Sequence, residues 1–128
     1  MEREEWERYR RQAEHTLISL PANPLDRAER LARVRRYIDA LGLTPWRALV
    51  FGSVGRGDFT ADSDTDLLIV SDALPADLRA RLDLLFGVRD LAPEVEPIGW
   101  REEDWARRER EGDPFIEVLR REGLEIAP

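Results

Sequence analysis

Two short apolar runs, residues 48–51 and 67–70, are the feature that most limits the folds open to this chain. Each run has the length of a strand, and both are far too short to cross a membrane as a helix. Each therefore predicts a short buried strand. The segment between them is rich in glycine and aspartate, which are typical of turns and loops.

Helical and extended patterns surround these two runs. Apolar residues recur at helical spacing, and Pro, Asn and Gly mark the breaks between periodic segments. The pattern predicts a helix over residues 3–19, a second helix from an Asp26 cap to Gly42, strands over 48–51, 66–70 and 94–98, and helices over 74–86, 102–111 and 114–122. Alternating elements of this kind indicate a single domain in which helices cover a sheet.

The composition excludes several kinds of site. At 128 residues the chain has room for one modest core, and the absence of Cys excludes disulfides, thiolate zinc sites and cysteine nucleophiles. The net charge is −7, and the acidic excess lies after residue 47. A polymer-binding enzyme usually carries a basic groove, so nucleic acid is not an expected partner, whereas a divalent cation is. The charged N-terminus lacks a signal-peptide core, and we expect a soluble cytoplasmic protein.

All 20 basic residues are Arg, and several lie on the second predicted helix: Arg27, Arg30, Arg33, Arg35 and Arg36. A row of charges on a helix is ordinarily a solvated face. The alternative is a surface that docks an acceptor or a protein partner.

Glycine and serine follow the first strand directly, as Gly52-Ser53-Val54-Gly55-Arg56-Gly57. Glycines at this position allow a tight turn and the close approach of a ligand to the backbone. The Ser53 hydroxyl and free N–H groups at the start of a following helix would favour an anion. A purely structural turn is the alternative. The segment is not a Walker loop, because the chain has no Lys.

Asp64 and Asp66 lie at the start of the second strand. On an extended segment, residues two apart point to the same side. Two carboxylates placed together beside a core repel each other unless a cation lies between them, and hard oxygen ligands suit Mg²⁺. The alternative is a turn that leads solvated Asp residues into the strand.

The glycine and aspartate segments together resemble a known signature. Ten residues separate Ser53 from Asp64, and the pattern is Gly52-Ser53-x-x-Arg56-Gly57-Asp58 followed by Asp62-Ser63-Asp64-x-Asp66-Leu67-Leu68. It resembles the minimal nucleotidyltransferases of the DNA polymerase β-like superfamily over roughly residues 30–126. The resemblance implies an α/β (α+β) nucleotidyltransferase fold, a small mixed sheet with helices packed on one side. It further implies a helical N-terminal part over residues 1–42 and a catalytic core over residues 47–126.

The resemblance also implies roles for individual residues. Gly52 and Ser53 would bind phosphate, with Arg56 and Gly57 as further nucleotide-binding residues. For Arg56, a surface position beside Asp58 is the alternative. Asp64 and Asp66 would ligate Mg²⁺, or Mn²⁺.

The family has a third carboxylate on a later strand, and two residues are candidates for it. Glu94 and Glu96 are two apart, so strand parity alone does not separate them. In members of the family this strand typically has an apolar-acid-apolar-apolar run, and an acidic segment with an aromatic residue follows it. Because Val95-Glu96-Pro97-Ile98 matches this register, we expect Glu96 to be the third catalytic and metal-binding carboxylate. Pro97 would be tolerated at a sheet edge or a bulge.

The function implied by the resemblance is the Mg²⁺-dependent transfer of a nucleoside monophosphate, most simply AMP from ATP, to a hydroxyl acceptor with release of pyrophosphate. The acceptor could belong to a partner protein. An alternative from a different class is an antitoxin-type binding protein that neutralises a HEPN ribonuclease. The resemblance is compatible with a homodimer.

Overall fold

The computed structural model describes residues 24–128 of the chain. The helix predicted over residues 3–19 lies outside the described residues. Five helices are described: α1 (Pro24–Leu41), α2 (Gly52–Arg56), α3 (Leu78–Gly87), α4 (Glu102–Arg110) and α5 (Pro114–Glu122). Four strands alternate with them: β1 (Arg47–Phe51), β2 (Thr65–Val70), β3 (Val95–Trp100) and β4 (Leu124–Ile126), with a 3₁₀ turn over Arg89–Leu91.

The strands form one mixed sheet in the order β3-β2-β1-β4. β1 pairs antiparallel with both β2 and β4, whereas β2 pairs parallel with β3. The predicted mixed sheet with packed helices is confirmed. Within the described residues β3 pairs only with β2, so Pro97 lies on an edge strand, where a residue without an N–H is tolerated.

Helices cover both faces of the sheet, and the expectation that they pack on one side was wrong. Ala48, Val50, Leu67 and Ile69 pack on one face into a cluster that includes side chains of α1 and α3. The residues between them pack on the other face, where Leu68 and Val70 meet Ile116 and Leu119 of α5. The physical reason is that β1 and β2 are apolar at successive positions, so each strand has two faces to bury.

Helix α1 is the largest contributor to the first face. Val34, Tyr37 and Ile38 are fully buried, and the Tyr37 hydroxyl donates a hydrogen bond to the Leu85 carbonyl of α3. Burial raises the pKa of Tyr37 to about 12. Because α1 and the sheet share this core, the position of α1 is fixed relative to the strand ends that carry the candidate site.

Several element boundaries differ from the predicted ones. α1 begins at Pro24, so Asp26 lies inside its first turn, where an acid interacts favourably with the helix dipole, and is not the cap. α3 begins at Leu78 because the Asp77 side chain caps it, accepting from the Ala80 N–H at 2.9 Å. The three-residue β4 was not predicted. Its pairing with β1 is a long-range contact without a periodic pattern of its own.

None of the helices within residues 24–128 combines the length and the apolar character that a membrane span requires.

Candidate active site

The junction between β1 and α2 lies directly against Asp66. Gly52 has a φ of +67°, a backbone conformation that favours glycine. A Cβ added to Gly52 would lie only 2.2 Å from Asp66 Oδ2. Since Phe51 pairs with Asp66 across the antiparallel ladder, the end of β1 and the start of β2 meet here. Gly52 therefore serves the site by leaving room for the Asp66 carboxylate.

Asp66 is the electrostatic centre of this region. Its side chain is half-buried at the start of β2, on the sheet face that also carries Leu68. Burial raises the pKa of Asp66, and the nearby negative charges of Asp64 and Glu96 raise it further. The Arg56 guanidinium acts in the opposite direction but does not outweigh them. Asp66 is therefore close enough to both of the other predicted site carboxylates for their negative charges to act on it.

Glu96 and Glu94 are placed in different surroundings. Glu96 is the register partner of Asp66 in the parallel β2–β3 pairing, which brings the two residues side by side. Glu94 precedes β3, and its carboxylate accepts a hydrogen bond from Arg33 of α1 at 3.2 Å. The two glutamates do not share a strand, whereas strand parity in the sequence had placed them on the same side. Adjacency to Asp66 favours Glu96 as the third site carboxylate.

Arg89 holds the Glu96 carboxylate. Its Nη2 donates to Glu96 Oε1 at 2.5 Å, and its Nε donates to the Val95 carbonyl at 3.0 Å. Arg89 was not among the predicted site residues. The only signal in the sequence was its position shortly before a predicted strand. Arg89 lies in the 3₁₀ turn and Glu96 in β3, so no regular element spans the seven residues between them.

The remaining predicted nucleotide-binding residues lie along α2. Ser53 is half-buried in the first turn of this helix. Gly57 ends the helix in the left-handed conformation, with a φ of 88°, and its N–H donates to the Ser53 carbonyl. Arg56 is exposed and pairs with Asp58 and Glu122, each at 3.1 Å. The structure thus gives Gly57 and Arg56 structural contacts, and their binding of nucleotide stays a prediction.

The chemistry of the carboxylates suits a hard divalent cation, which prefers oxygen ligands. Within residues 24–128, however, no group of three or more acidic or His side chains is arranged to hold a metal ion as it stands. The ion pair between Glu96 and Arg89 engages one of the three candidate ligands. Asp64 and Asp66, by contrast, are not engaged by any Arg side chain among the described ion pairs.

The arginines of α1 are not all solvated. Arg35 and Arg36 are exposed, as a solvated face predicts. Arg27 donates to the Gly55 carbonyl at 2.6 Å, and Arg30 donates to the segment that precedes β2. For these two residues the solvated-face interpretation was wrong, because their guanidinium groups satisfy backbone carbonyls that lack strand partners.

Comparison with known proteins agrees with these features. The model of one family, described as a nucleotidyltransferase domain, matches residues 31–114, about two thirds of the chain. This range contains α2, Asp64, Asp66 and both candidate glutamates. No curated protein and no solved structure gives a significant match. The resemblance inferred from the glycine and aspartate motifs is confirmed at the level of the family.

Proposed function

Because the chain belongs to the nucleotidyltransferase domain family, we propose that it transfers a nucleoside monophosphate, most simply AMP, from a Mg²⁺-bound nucleoside triphosphate to a hydroxyl acceptor. The observation that carries the proposal is the position of Asp66, which lies beside Glu96 in the β2–β3 register, two residues after Asp64 and directly against Gly52. A half-buried carboxylate with two like charges nearby is costly for the fold alone. Its cost is explained if a cation and a polyphosphate complete the site.

Asp64, Asp66 and Glu96 would hold the metal, with Mn²⁺ as an alternative to Mg²⁺. When bound, the metal supplies charge neutralisation for the phosphates and a lower pKa for the attacking hydroxyl. Asp64 and Asp66 supply negative charge on the side of the sheet where β2 begins. The Ser53 hydroxyl and the backbone N–H groups at the start of α2 would bind the terminal phosphates.

Glu96 would also accept the proton of the acceptor hydroxyl. In the reaction, the acceptor oxygen forms a bond to the α-phosphorus, and the bond from this phosphorus to the pyrophosphate oxygen breaks. Pyrophosphate leaves with the electron pair, and the hydroxyl proton passes to Glu96 as general base. Arg89 donates to Oε1 of Glu96, so the second carboxylate oxygen, Oε2, would serve in either role.

Calorimetry of ATP binding tests the metal-dependent site without knowledge of the acceptor. Phosphates cannot approach the acidic site unless a cation screens the repulsion, so ATP should bind appreciably with Mg²⁺ or Mn²⁺ and not in EDTA. Asp64→Ala and Asp66→Ala should each remove this dependence. Asp62→Ala, an exposed residue of the same loop, is the matched control and should bind like wild type. Equal ATP affinity in EDTA would contradict the proposal.

Minimal nucleotidyltransferases, which this chain resembles, are often encoded beside a HEPN ribonuclease. Transfer itself is therefore tested with α-labelled nucleoside triphosphates, Mg²⁺ and the product of the neighbouring gene. Label should move to the acceptor with the wild-type chain and not with Asp66→Asn. Label that appears equally with both proteins would show that the transferase activity resides elsewhere.

A second candidate function, an antitoxin-type binding protein for a HEPN ribonuclease, is favoured by one surface. Leu78, Leu82 and Phe86 recur every four residues along α3 and are 68%, 51% and 44% exposed. An exposed apolar row on a helix is typical of a protein-binding surface. The two functions are compatible, because none of these three residues is a candidate site residue, although Arg89 contacts both the Phe86 ring and the Glu96 carboxylate.

A variant pair separates the two candidates. Leu82→Asp should weaken binding to a purified HEPN-type neighbour while MgATP binding remains at the wild-type level. Arg79→Asp, a change of charge at an exposed position of the same helix, is the control. If Leu82→Asp binds the neighbour as tightly as wild type does, the α3 row is not the docking surface.

A further inference from the structure

The segment between α2 and β2, residues 57–64, has no regular structure, yet it carries Asp64 and leads directly to Asp66 at the start of β2. Within it, the Thr60 N–H donates to Ser63 Oγ at 2.9 Å, and the Ser63 N–H donates to the Thr60 carbonyl at 3.1 Å. These two bonds close a local turn but leave the carbonyls of Ala61 and Ser63 without partners inside the segment. A loop held only in this way would be mobile relative to the sheet.

Arg30 of α1 supplies the missing partners. Its Nη2 donates to the carbonyls of Thr60 and Ala61, each at 3.1 Å. Its Nη1 donates to the Ser63 carbonyl and to Thr65 Oγ1, the latter at 3.2 Å. The guanidinium also lies over the ring of buried Phe59, with its carbon 4.9 Å from the ring centroid. One side chain therefore contacts the segment at both ends and at its middle.

We propose that Arg30 is a positioning residue for the metal-binding aspartates. Two of its acceptors, the Ser63 carbonyl and Thr65 Oγ1, belong to the residues on either side of Asp64. Arg30 thereby restricts where the Asp64 carboxylate can lie relative to Asp66. The inference rests on the proposed function, since positioning matters only if the two carboxylates act on a metal.

The chemistry of the contact requires Arg. A guanidinium presents five donors in a rigid planar fork, whereas an ammonium is a single point with three donors. Four acceptors spread over Thr60, Ala61, Ser63 and Thr65 can be satisfied together only by the fork. All four acceptors are neutral, so the role of Arg30 here is geometric and not the neutralisation of a carboxylate.

Neighbouring arginines on the same helix face make parallel contacts. Arg27 donates to the Gly55 carbonyl of α2, and Arg33 donates to Glu94, which precedes β3. Arg27, Arg30 and Arg33 are three residues apart and so follow one side of the helix. Because α1 is packed firmly into the core, this side gives the glycine turn, the aspartate loop and the start of β3 a common support.

The test combines amide hydrogen exchange with Mn²⁺ binding, measured by electron paramagnetic resonance on the full chain. Arg30→Gln removes the fork, Arg30→Lys keeps the charge without it, and Arg36→Gln changes an exposed Arg on the same helix as the control. We expect faster exchange of the amides over residues 59–65 and about 10- to 100-fold weaker Mn²⁺ binding in Arg30→Gln. Arg30→Lys should lie between Arg30→Gln and wild type, and Arg36→Gln should match wild type.

Each outcome has a defined meaning. If exchange over residues 59–65 is unchanged in both Arg30 variants, Arg30 does not hold the loop and the inference is wrong. If exchange accelerates while Mn²⁺ affinity stays at the wild-type value, the role is structural only and the inference is again wrong. Should Arg30→Gln fail to fold, Arg30→Lys decides between these results. If the wild-type chain does not bind Mn²⁺, or if Asp66→Asn binds Mn²⁺ as tightly as wild type does, the proposed function is refuted and the positioning role with it.

Discussion

Asp66→Asn should raise the stability of the metal-free protein. The change removes one negative charge with almost no change of volume. In the wild type, burial and the charges of Asp64 and Glu96 disfavour the ionised Asp66, which is why its pKa is raised. A neutral amide at this position relieves both effects. The carboxylate is then explained by function rather than by folding.

The size of the gain follows from the surroundings of the carboxylate. At an effective dielectric of about 20, two charges about 4 Å apart repel by roughly 4 kcal/mol, which is an upper bound. Asp64 is exposed and Asp66 is only half-buried, so solvent screens the repulsion, and Arg56 offsets part of it. We expect a net gain of about 1 kcal/mol in the free energy of unfolding, or roughly 3–6 °C in Tm for a domain of this size.

The stability difference between Asp66→Asn and wild type should depend on pH, whereas a difference caused by packing would not. A carboxyl whose pKa is higher in the folded than in the unfolded state stabilises the fold while it is protonated. This contribution is complete below the unfolded-state pKa of about 3.9 and is lost as the pH rises through the higher folded-state value. The advantage of Asp66→Asn should therefore be largest near neutral pH and disappear in acid.

Scanning calorimetry of both proteins in EDTA across this range, and with MgATP at neutral pH, provides the assay. MgATP should raise the Tm of the wild type and not that of Asp66→Asn, because a ligand stabilises only the state that binds it. Asp62→Asn, in the exposed part of the same loop, is the matched control and should change neither value appreciably. If Asp66→Asn were less stable than wild type in EDTA at neutral pH, the aspartates would be structural caps and the metal-site interpretation would be refuted.

Three further predictions concern the same site. Glu96→Gln should slow transfer by roughly 10²–10³-fold with MgATP binding nearly intact, and the opposite result, a loss in Glu94→Gln alone, would move the third carboxylate to Glu94. Arg89→Ala should tighten Mn²⁺ binding by up to about fivefold, the scale of a partly exposed ion pair, because it frees Glu96. Weaker Mn²⁺ binding in calorimetry would contradict the inference that Arg89 competes with the metal for Glu96. Gly52→Ala should lower the free energy of unfolding by about 1–2 kcal/mol, because residue 52 has a left-handed backbone conformation. The added Cβ should also displace the Asp66 carboxylate, so that the metal dependence of ATP binding is lost. Unchanged ATP binding would show that the close approach of Gly52 to Asp66 is dispensable.

The sequence predicted the local parts of this site. β1 and β2 were visible because their apolar residues are consecutive, and the aspartate pair was visible because residues two apart on a strand share a side. The position of Glu96 beside Asp66 was not visible in any local pattern. It depends on the parallel register of β2 and β3, which is a long-range property. The coverage of both sheet faces was misjudged, although the unbroken apolar run of β2 contained the signal.

The supporting arginines show a deeper reason why sequence reasoning stops short. Arg30 and Arg36 look alike in the sequence, because both lie on a charged helix in the same kind of surroundings. What distinguishes Arg30 is a set of acceptors that are mostly backbone carbonyls, and a carbonyl is present at every residue whatever its side chain. Only the path of the loop decides which carbonyls lack partners, and buried carbonyls without partners are costly. A positioning residue of this kind is therefore found by asking which irregular segment carries the reactive groups and which distant side chain satisfies its backbone.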